Sequence, residues 1–494
     1  MHLVGLGLTM HDSSVAAYKD GKFLYRKAER QFSKKHLYAG LSWAESVLKE
    51  WDINNPVIAK STWLKGRDPD QLVDGFDLDH HYAHVMSSPK KYHVNYVVDA
   101  LSTGPADNEN EQEVYTGLLM MGETPRRIKD FPIPSVLRPA VWAQQFDHEE
   151  ELRKFFISIQ NQTISITDWA KKLIETEQVD EMWPVFVKSI DLPGKTMGLQ
   201  SYGRVDNKTV DRWLNSPFPR YTAFCETNVT RPDVHMVATL HSFCERVLQK
   251  DVPPMHDFGY SGGVAQNVVI NRSLLDAGYK PNVYPWAYDG GCSIGALNYL
   301  LDKYNIERYS DWVQDDQTPD TEPSTRTIKK VAELIANNKV VGWYQGNGEV
   351  GPRALGNRSI LFNPTNKHAK QIVNRVKQRE WWRPFGASVK EDQAHRFFDI
   401  PVSRHMLINS NVLYSGIPAV THVDGTCRHQ TVPEENSIYY NLLDEVEKLI
   451  DVPMVLNTSL NLRGKPICST ITEAKQIPLD AICIGDEIYE NMHS

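Results

Sequence analysis

Long apolar runs are missing from this chain. No stretch approaches the ~20 consecutive apolar residues that a membrane span needs, so no membrane partner is expected. Cysteine is scarce, with six in 494 residues. Cys225, Cys244, Cys292, Cys427, Cys468 and Cys483 form no C-x-x-C pair. That excludes a zinc ribbon and a disulfide scaffold and fits a reducing, cytoplasmic compartment. Positive charge is not in excess: 54 lysines and arginines stand against 62 aspartates and glutamates, for a net charge of −8. The balance argues against a nucleic-acid partner and leaves room for a local basic pocket. Internal repeats and low-complexity tracts are also absent. The residues from Met1 to Leu8 lack the basic n-region of a signal peptide and meet His11 and Asp12 almost at once, so they read as a first strand.

At 494 residues and 41% hydrophobic content, the chain is long enough for two or more domains of roughly 100–200 residues each. A polar turn, His11-Asp-Ser-Ser14, follows the first strand. Val15–Tyr18 and Phe23–Lys27 are expected to pair across Asp20-Gly21, a favoured hairpin turn. Strand, polar turn and hairpin is how actin-like and sugar-kinase-like ATPases open their phosphate-binding half. Asn95–Asp99 reads as a buried strand with an acid at its carboxyl end. Phe258–Gly263 reads as a strand entering a glycine turn. The acidic, proline-bearing stretch Gln314–Thr327 has the composition of a linker. Beyond it, Ile328, Val331, Ala332 and Ile335 recur at helical spacing. The expected organisation is a domain over 1–314, a linker over 315–327 and a second domain over 328–494.

Four constellations carry candidate chemistry. The segment Gly346-Asn-Gly-Glu-Val-Gly-Pro-Arg-Ala-Leu-Gly-Asn-Arg-Ser359 sets Arg353 and Arg358 among glycines that let a backbone approach a ligand closely. Arginine's planar fork binds carboxylate or phosphate bidentately, so the segment is a candidate anion cradle; a solvated surface loop is the plain alternative. Lys377, Arg379, Arg383, Arg428, Ser459, Asn461 and Arg463 are suited to enclosing a small, doubly charged anion. His80 and His84 share one face of a helix at i and i+4, which suits two imidazoles on one metal ion. Asp99 and Asp289 are candidate oxygen ligands, and two nitrogens with two oxygens suit Fe(II), Mn(II) or Zn(II). Gly262 and Gly263 open a helix and offer backbone N–H groups to a nucleotide, with Asn267 beside them. Lys195 lies in a glycine-bearing segment without P-loop spacing, yet its charge suits a phosphate.

Taken in order, these segments resemble the O-carbamoyltransferase family of the NodU/CmcH type. The matching stretches are His11-Asp-Ser-Ser, Glu29-Arg30 with Lys34-Lys35-His36, His80-His-Tyr-Ala-His84, Gly194-Lys-Thr-Met-Gly-Leu, Ser261-Gly-Gly-Val-Ala-Gln-Asn and Asp289-Gly-Gly. They continue with Gly351-Pro-Arg-Ala-Leu-Gly-Asn-Arg-Ser, Arg379-Glu with Arg383-Pro-Phe, and Asn457-Thr-Ser-Leu-Asn-Leu-Arg-Gly, and they span nearly the whole chain.

The resemblance implies an α/β protein of two catalytic domains. The first is an ASKHA-like domain, the actin and sugar-kinase fold, similar to the ATPase-fold protein that makes threonylcarbamoyladenosine in tRNA. The second is a YrdC-like domain that forms a carbamoyl-type adenylate. Carbamoyl phosphate and ATP, with Mg(II), would give carbamoyl-adenylate in the second domain. The first domain would pass the carbamoyl group to a hydroxyl of a sugar, antibiotic-like or nucleoside acceptor. By position, His80, His84, Asp99 and Asp289 carry over as metal ligands, with Fe(II) favoured. Gly262, Gly263 and Asn267 carry over as nucleotide contacts. Arg353, Lys377, Arg383, Arg428, Ser459, Asn461 and Arg463 carry over as the carbamoyl phosphate and adenylate site, beside Arg358. His11 and His36 are the candidate bases. The family usually follows the strand-end acid with Gly-x-Gly-Glu, whereas Asp99 is followed here by Ala-Leu-Ser-Thr-Gly104, so acceptor geometry is expected to differ. A homodimer stays open. Two alternatives are tRNA threonylcarbamoylation, which the acidic balance disfavours, and a non-catalytic nucleotide-binding regulator.

Overall fold

The computed structural model describes residues 1–9, 12–62, 74–78, 80–92, 94–97, 115–121, 126–132, 195–215, 234–251 and 257–491. His11 and Asp99 lie outside the described residues. The fold is mixed α/β. It divides into two compact units, one of 1–62, 66–78 and 284–494, the other of 63–65 and 79–283.

Among the described residues the first unit contains a five-stranded sheet, a seven-stranded sheet and a small pair, Ser410–Asn411 with Thr426–Cys427. In the N-terminal sheet the order is Lys22–Lys27, Ser14–Lys19, His2–Leu8, Val57–Thr62, Phe76–Asp77. The expected hairpin forms, with Lys19 opposite Lys22. Its two turn residues, Asp20 and Gly21, both have positive φ, 50° and 86°, as a turn that matches strand twist requires. Val4, Leu6 and Leu8 pack on Trp43, Ala44 and Val47 of the helix Leu41–Glu50. Gly5 and Gly7 point the other way, where the helix Cys292–Lys303 lies against the strand. A Cβ at Gly5 would fall 2.0 Å from the Ser293 carbonyl oxygen, and one at Gly7 2.8 Å from the Ser293 nitrogen. Two glycines therefore set how close that helix comes.

The C-terminal sheet has seven strands in the order His429–Val432, Gly386–Lys390, Met454–Ser459, Arg358–Phe362, Val341–Tyr344, Ala481–Ile484, Glu487–Glu490. Side chains alternate between its two faces with the period of two that a pleated strand imposes. Val341, Trp343, Leu361, Val455 and Cys483 meet the helices Thr325–Ala336 and Ser437–Ile450 on one face. Tyr344, Ile360, Phe362, Leu456 and Ile482 meet Ala369, Val373, Phe385 and Phe397 on the other. Both faces of the central strands are buried, and Val341–Tyr344 and Ala481–Ile484 are apolar runs.

The stretch whose composition marks it as a linker is instead a packed strap. Gln314 N–H donates to Gly348 O at 2.8 Å, Asp315 N–H to Tyr25 O at 2.7 Å and Gln317 N–H to Ser469 O at 3.1 Å. Asp315 pairs with Arg26 of the N-terminal sheet and accepts from Trp51 Nε1 at 2.6 Å. Asp316 accepts from Gly348 N–H and Arg358 Nη2, each at 3.0 Å. Asp315 and Asp316 here serve pairing, and the first unit has no break at 315–327.

In the second unit the sheet order is Pro281–Asn282, Phe258–Ser261, Val94–Val97, Tyr115–Met121, Arg126–Pro132. The helix His80–Met86 packs beside the strands Val94–Val97 and Phe258–Ser261. The helix Val234–Asp251 packs beside Asn207–Leu214 and Val268–Asp276.

Burial raises the Asp316 carboxyl to about 6, against the pull of Arg358. A raised folded-state value means that the folded chain holds this proton more tightly than the unfolded chain. Stability from this group is therefore full at low pH and is lost as pH rises through 6. Asp316→Asn should gain on the parent by about 2 kcal/mol between pH 4 and pH 7, measured as the difference between their unfolding free energies. A difference independent of pH would contradict this assignment.

Candidate functional site

One cluster of side chains in the first unit, called the crevice below, concentrates positive charge. Lys377 caps the helix Ala369–Val376, Arg379 and Arg383 occupy the turn after it, and Arg428 stands between the strands Thr426–Cys427 and His429–Val432. Desolvation, then Arg428 and Arg383, holds the Arg353 guanidinium well below its ordinary range. Lys377 is lowered by desolvation and by Arg379, Lys35 and Arg383. Arg379 is lowered by desolvation and by Arg383 and Arg428. Burial brings Arg428 down to about 10, with Arg383 adding to the effect against a pull from Cys427. Guanidiniums remain protonated at neutral pH, so these shifts express loss of water first and repulsion between the cations second, and an incoming anion would offset both.

The cations are fixed mostly by neutral groups. Lys377 Nζ donates to Asn461 Oδ1 at 2.8 Å, to Asn461 O at 3.0 Å and to Ser459 O. Ser459 Oγ donates to Asn461 Oδ1 at 2.7 Å. Arg379 donates to Asn374 Oδ1 at 3.0 Å and Pro384 O at 2.9 Å, and lies 4.5 Å from the Phe385 ring centre. Glu380 is 3.8 Å from Arg383 and 3.7 Å from Arg463. The buried Arg428 Nε has no hydrogen-bond partner among the described residues. Arg353, Lys377, Arg383 and Arg428 are thus brought together, with Ser459, Asn461 and Arg463 at their margin. Lys35 was missed as a site residue: desolvation and then Arg383 lower its ammonium. Its one sequence signal is its place in the Lys34-Lys35-His36 run.

Arg358 does not join this crevice. Its side chain is 0% exposed and pairs with Asp316 at 3.0 Å. It also donates to Gln345 O at 2.7 Å and Gln317 O at 2.9 Å, with its carbon 3.6 Å from the Tyr344 ring centre. The glycine segment does cradle an anion, but the anion is its own Glu349. Glu349 Oε1 accepts from the N–H groups of Leu355, Asn357 and Arg358 at 2.7, 2.9 and 3.1 Å. Those donors are occupied, and Arg353 is the arginine of this segment that faces the cluster.

In the N-terminal sheet, Lys27 is buried and pairs with Asp12 at 2.5 Å and Glu29 at 2.9 Å. Asp12 has a φ of 99°, a strained value for a residue with a side chain. His36 is 72% exposed, with Nδ1 3.9 Å from Asp12 Oδ2. Asp289 is buried in a single turn, Asp289–Gly291. The Gly290 carbonyl in that turn accepts from Ser14 at 3.0 Å and Tyr25 at 2.8 Å.

In the second unit, His80 and His84 are buried and their Nε2 atoms stand 3.3 Å apart. Two nitrogens at ~2.0–2.1 Å from a tetrahedral ion have about this separation, so the pair fits a metal. Gly262 has a φ of 93°, which glycine alone adopts easily. Asn267 is fully buried, and its Oδ1 accepts from Val269 and Ile270 N–H, each at 3.1 Å. Its side chain is thus committed to capping the helix Val268–Asp276 rather than presented to a nucleotide. Gly263 begins the short turn Gly263–Gln266, and Lys195 opens the helix Lys195–Leu199.

Residues 332–490 match the family model described as carbamoyltransferase C-terminus, a range that holds every crevice residue except Lys35. The chain is 32% identical over 297 residues to nodulation protein NolNO of Sinorhizobium fredii, covering 52% of this chain and 44% of the relative. It is 35% identical over 260 residues to NolO of Bradyrhizobium diazoefficiens, covering 46% and 47%. It is 31% identical over 255 residues to nodulation protein U of Rhizobium tropici, covering 47% and 44%. Each alignment spans under half of the relative's own length. Residues 332–490 are thus similar to a carbamoyltransferase C-terminal domain, and about half of the chain is similar to part of the NodU and NolO nodulation proteins.

Arg428→Gln should weaken inorganic phosphate binding at least tenfold, the loss of one charged hydrogen bond. Without phosphate its melting temperature should equal or exceed the parent's, because one repelling charge is gone. Calorimetry and thermal unfolding check both, and unchanged phosphate affinity would remove Arg428 from the site.

Proposed function

We propose that this chain is an ATP-dependent O-carbamoyltransferase. In a YrdC-like C-terminal domain, carbamoyl phosphate gives up its phosphate to one water, and the resulting carbamate displaces pyrophosphate from ATP to form carbamoyl-adenylate. An ASKHA-like N-terminal domain then passes the carbamoyl group to a hydroxyl of a small-molecule acceptor. The observation that carries this reading is the convergence of Arg353, Lys377, Arg379, Arg383 and Arg428 within the family-matched range. A crevice of desolvated cations suits a phosphorylated donor, and its charges oppose the negative charge that builds on transferring oxygens.

Arg353, Arg383 and Arg428 would grip the donor phosphate, while Ser459 and Asn461 keep Lys377 in place. Carbamoyl phosphate and its adenylate are both prone to hydrolysis, so excluding water is part of the task. His80 and His84, with Asp99 and Asp289, would hold a divalent ion, with Fe(II) favoured. When bound, that ion supplies Lewis-acid polarisation and a grip on nucleotide phosphates. His11 or His36 would take the proton of the acceptor hydroxyl. Gly262, Gly263 and Lys195 would serve the nucleotide, with Mg(II) accompanying ATP.

Arg353→Ala should lower carbamoyl phosphate-dependent pyrophosphate release from ATP at least a hundredfold and leave metal content unchanged. His84→Ala should lose the metal, read by elemental analysis. Retention of the release rate in Arg353→Ala would sink the reading. His11→Asn and His36→Asn separate the two steps. The variant lacking the base should still release pyrophosphate while transfer to an acceptor falls by about 10²–10⁴-fold. Undiminished transfer in both would exclude both histidines.

A further inference from the structure

We propose that Arg30 and Tyr288, both outside the family-matched range, position Arg353 and so set the donor affinity of the C-terminal crevice. This rests on the reading of the crevice as the donor site. The three residues ahead of Pro352-Arg353 present their carbonyls to groups from other parts of the first unit. Arg30, only 3% exposed, donates to Glu349 O at 3.3 Å and Gly351 O at 3.0 Å through Nη2. Its Nη1 donates to Ile467 O at 3.1 Å. The carbonyl between them, Val350 O, accepts from the Tyr288 hydroxyl at 3.3 Å.

Tyr288 is itself held. Its hydroxyl accepts from Lys27 Nζ at 3.0 Å, which leaves its proton for Val350. Its ring lies so close over Gly290 that a Cβ there would fall 2.7 Å from it. The loop is also pressed onto the residues just before Tyr288, since a Cβ at Gly351 would fall 2.6 Å from Pro285 O. Pro352 then fixes the backbone at the next residue. Two residues after the last held carbonyl comes Arg353, facing Arg383 and Arg428. A guanidinium displaced by about an ångström loses bidentate geometry on a phosphate. Arg30 and Tyr288 therefore act through Arg353 without touching the donor.

The test uses the full chain. Tyr288→Phe removes one hydroxyl, and Arg30→Lys keeps the charge but loses the fork. Inorganic phosphate affinity is measured by calorimetry, KM for carbamoyl phosphate and kcat by pyrophosphate release, and melting temperature in parallel. Tyr288→Phe should weaken phosphate binding and raise KM together by about five- to tenfold, the worth of one hydrogen bond, with kcat within about twofold. Arg30→Lys should do the same more strongly. If only the melting temperature falls while phosphate affinity and KM hold, the two residues are structural and the proposal is overturned. If Arg30→Lys does not fold, Tyr288→Phe decides alone. A parent chain that binds phosphate but releases no pyrophosphate would sink the functional reading, and the phosphate arm would still decide the positioning.

Discussion

Mutual repulsion among desolvated cations is the constraint around which the C-terminal crevice is organised. Arg353, Lys377, Arg379, Arg383 and Arg428 come from three separate segments, and Arg353, Lys377, Arg379 and Arg428 are pushed below their ordinary range mainly by loss of water. A fold could relieve this with carboxylates, but paired carboxylates would cancel the attraction for an anion. Instead, Lys377 is held by carbonyl, amide and hydroxyl oxygens, and Arg379 by an amide, a carbonyl and a ring face. Neutral acceptors fix direction without neutralising charge. Glu380 is set back at 3.7–3.8 Å, too far for a direct hydrogen bond.

The same logic decides how the glycine segment is used. Its N–H groups could have received a ligand, but Glu349 fills them. An internal carboxylate on three N–H groups rigidifies the loop and removes backbone from the binding surface. What the segment turns toward the cluster is a side chain, that of Arg353. Gly356 has its own reason to be glycine: its φ is 102°, and a Cβ would fall 2.3 Å from the Tyr439 ring. The glycines here serve packing and turning, while the arginine serves binding.

Arg353 and Arg358 show how far a sequence can be read. They are five positions apart, equally charged and set among the same glycines. One faces a cluster of cations and the other is 0% exposed against Asp316. The difference arises from Asp316 and Gln317, some forty residues upstream, which no local pattern links to them. The strap from Gln314 was misread for the same reason: prolines and acids look alike in a solvated linker and in a segment pinned by buried arginines. By contrast, the Asp20-Gly21 hairpin and the helix carrying Ile328, Val331, Ala332 and Ile335 were legible, because turn chemistry and helical period are local. The set Arg353, Lys377, Arg383 and Arg428, spread over about 75 residues, could be suggested by charge and residue type but was aligned as one site only through family motifs. Asn267 lay in a family motif, yet its side chain is taken up by its own helix.

The packing of the first unit also bears on where the donor site ends. The family match begins at residue 332, which invites a view of the C-terminal sheet as self-sufficient. Yet Arg26 and Arg30, at the end of the first hairpin and just beyond it, reach into the strap and the arginine loop respectively. Lys35 adds its charge from the following turn. Lys465 Nζ returns the contact, donating to Ser33 O at 3.2 Å. A guanidinium that spends its donors on backbone carbonyls holds a loop without adding an opposite charge, which is what a repelling cluster needs from its support. The N-terminal sheet therefore belongs to the physical boundary of the cation cluster, although it contributes few of the charges within it.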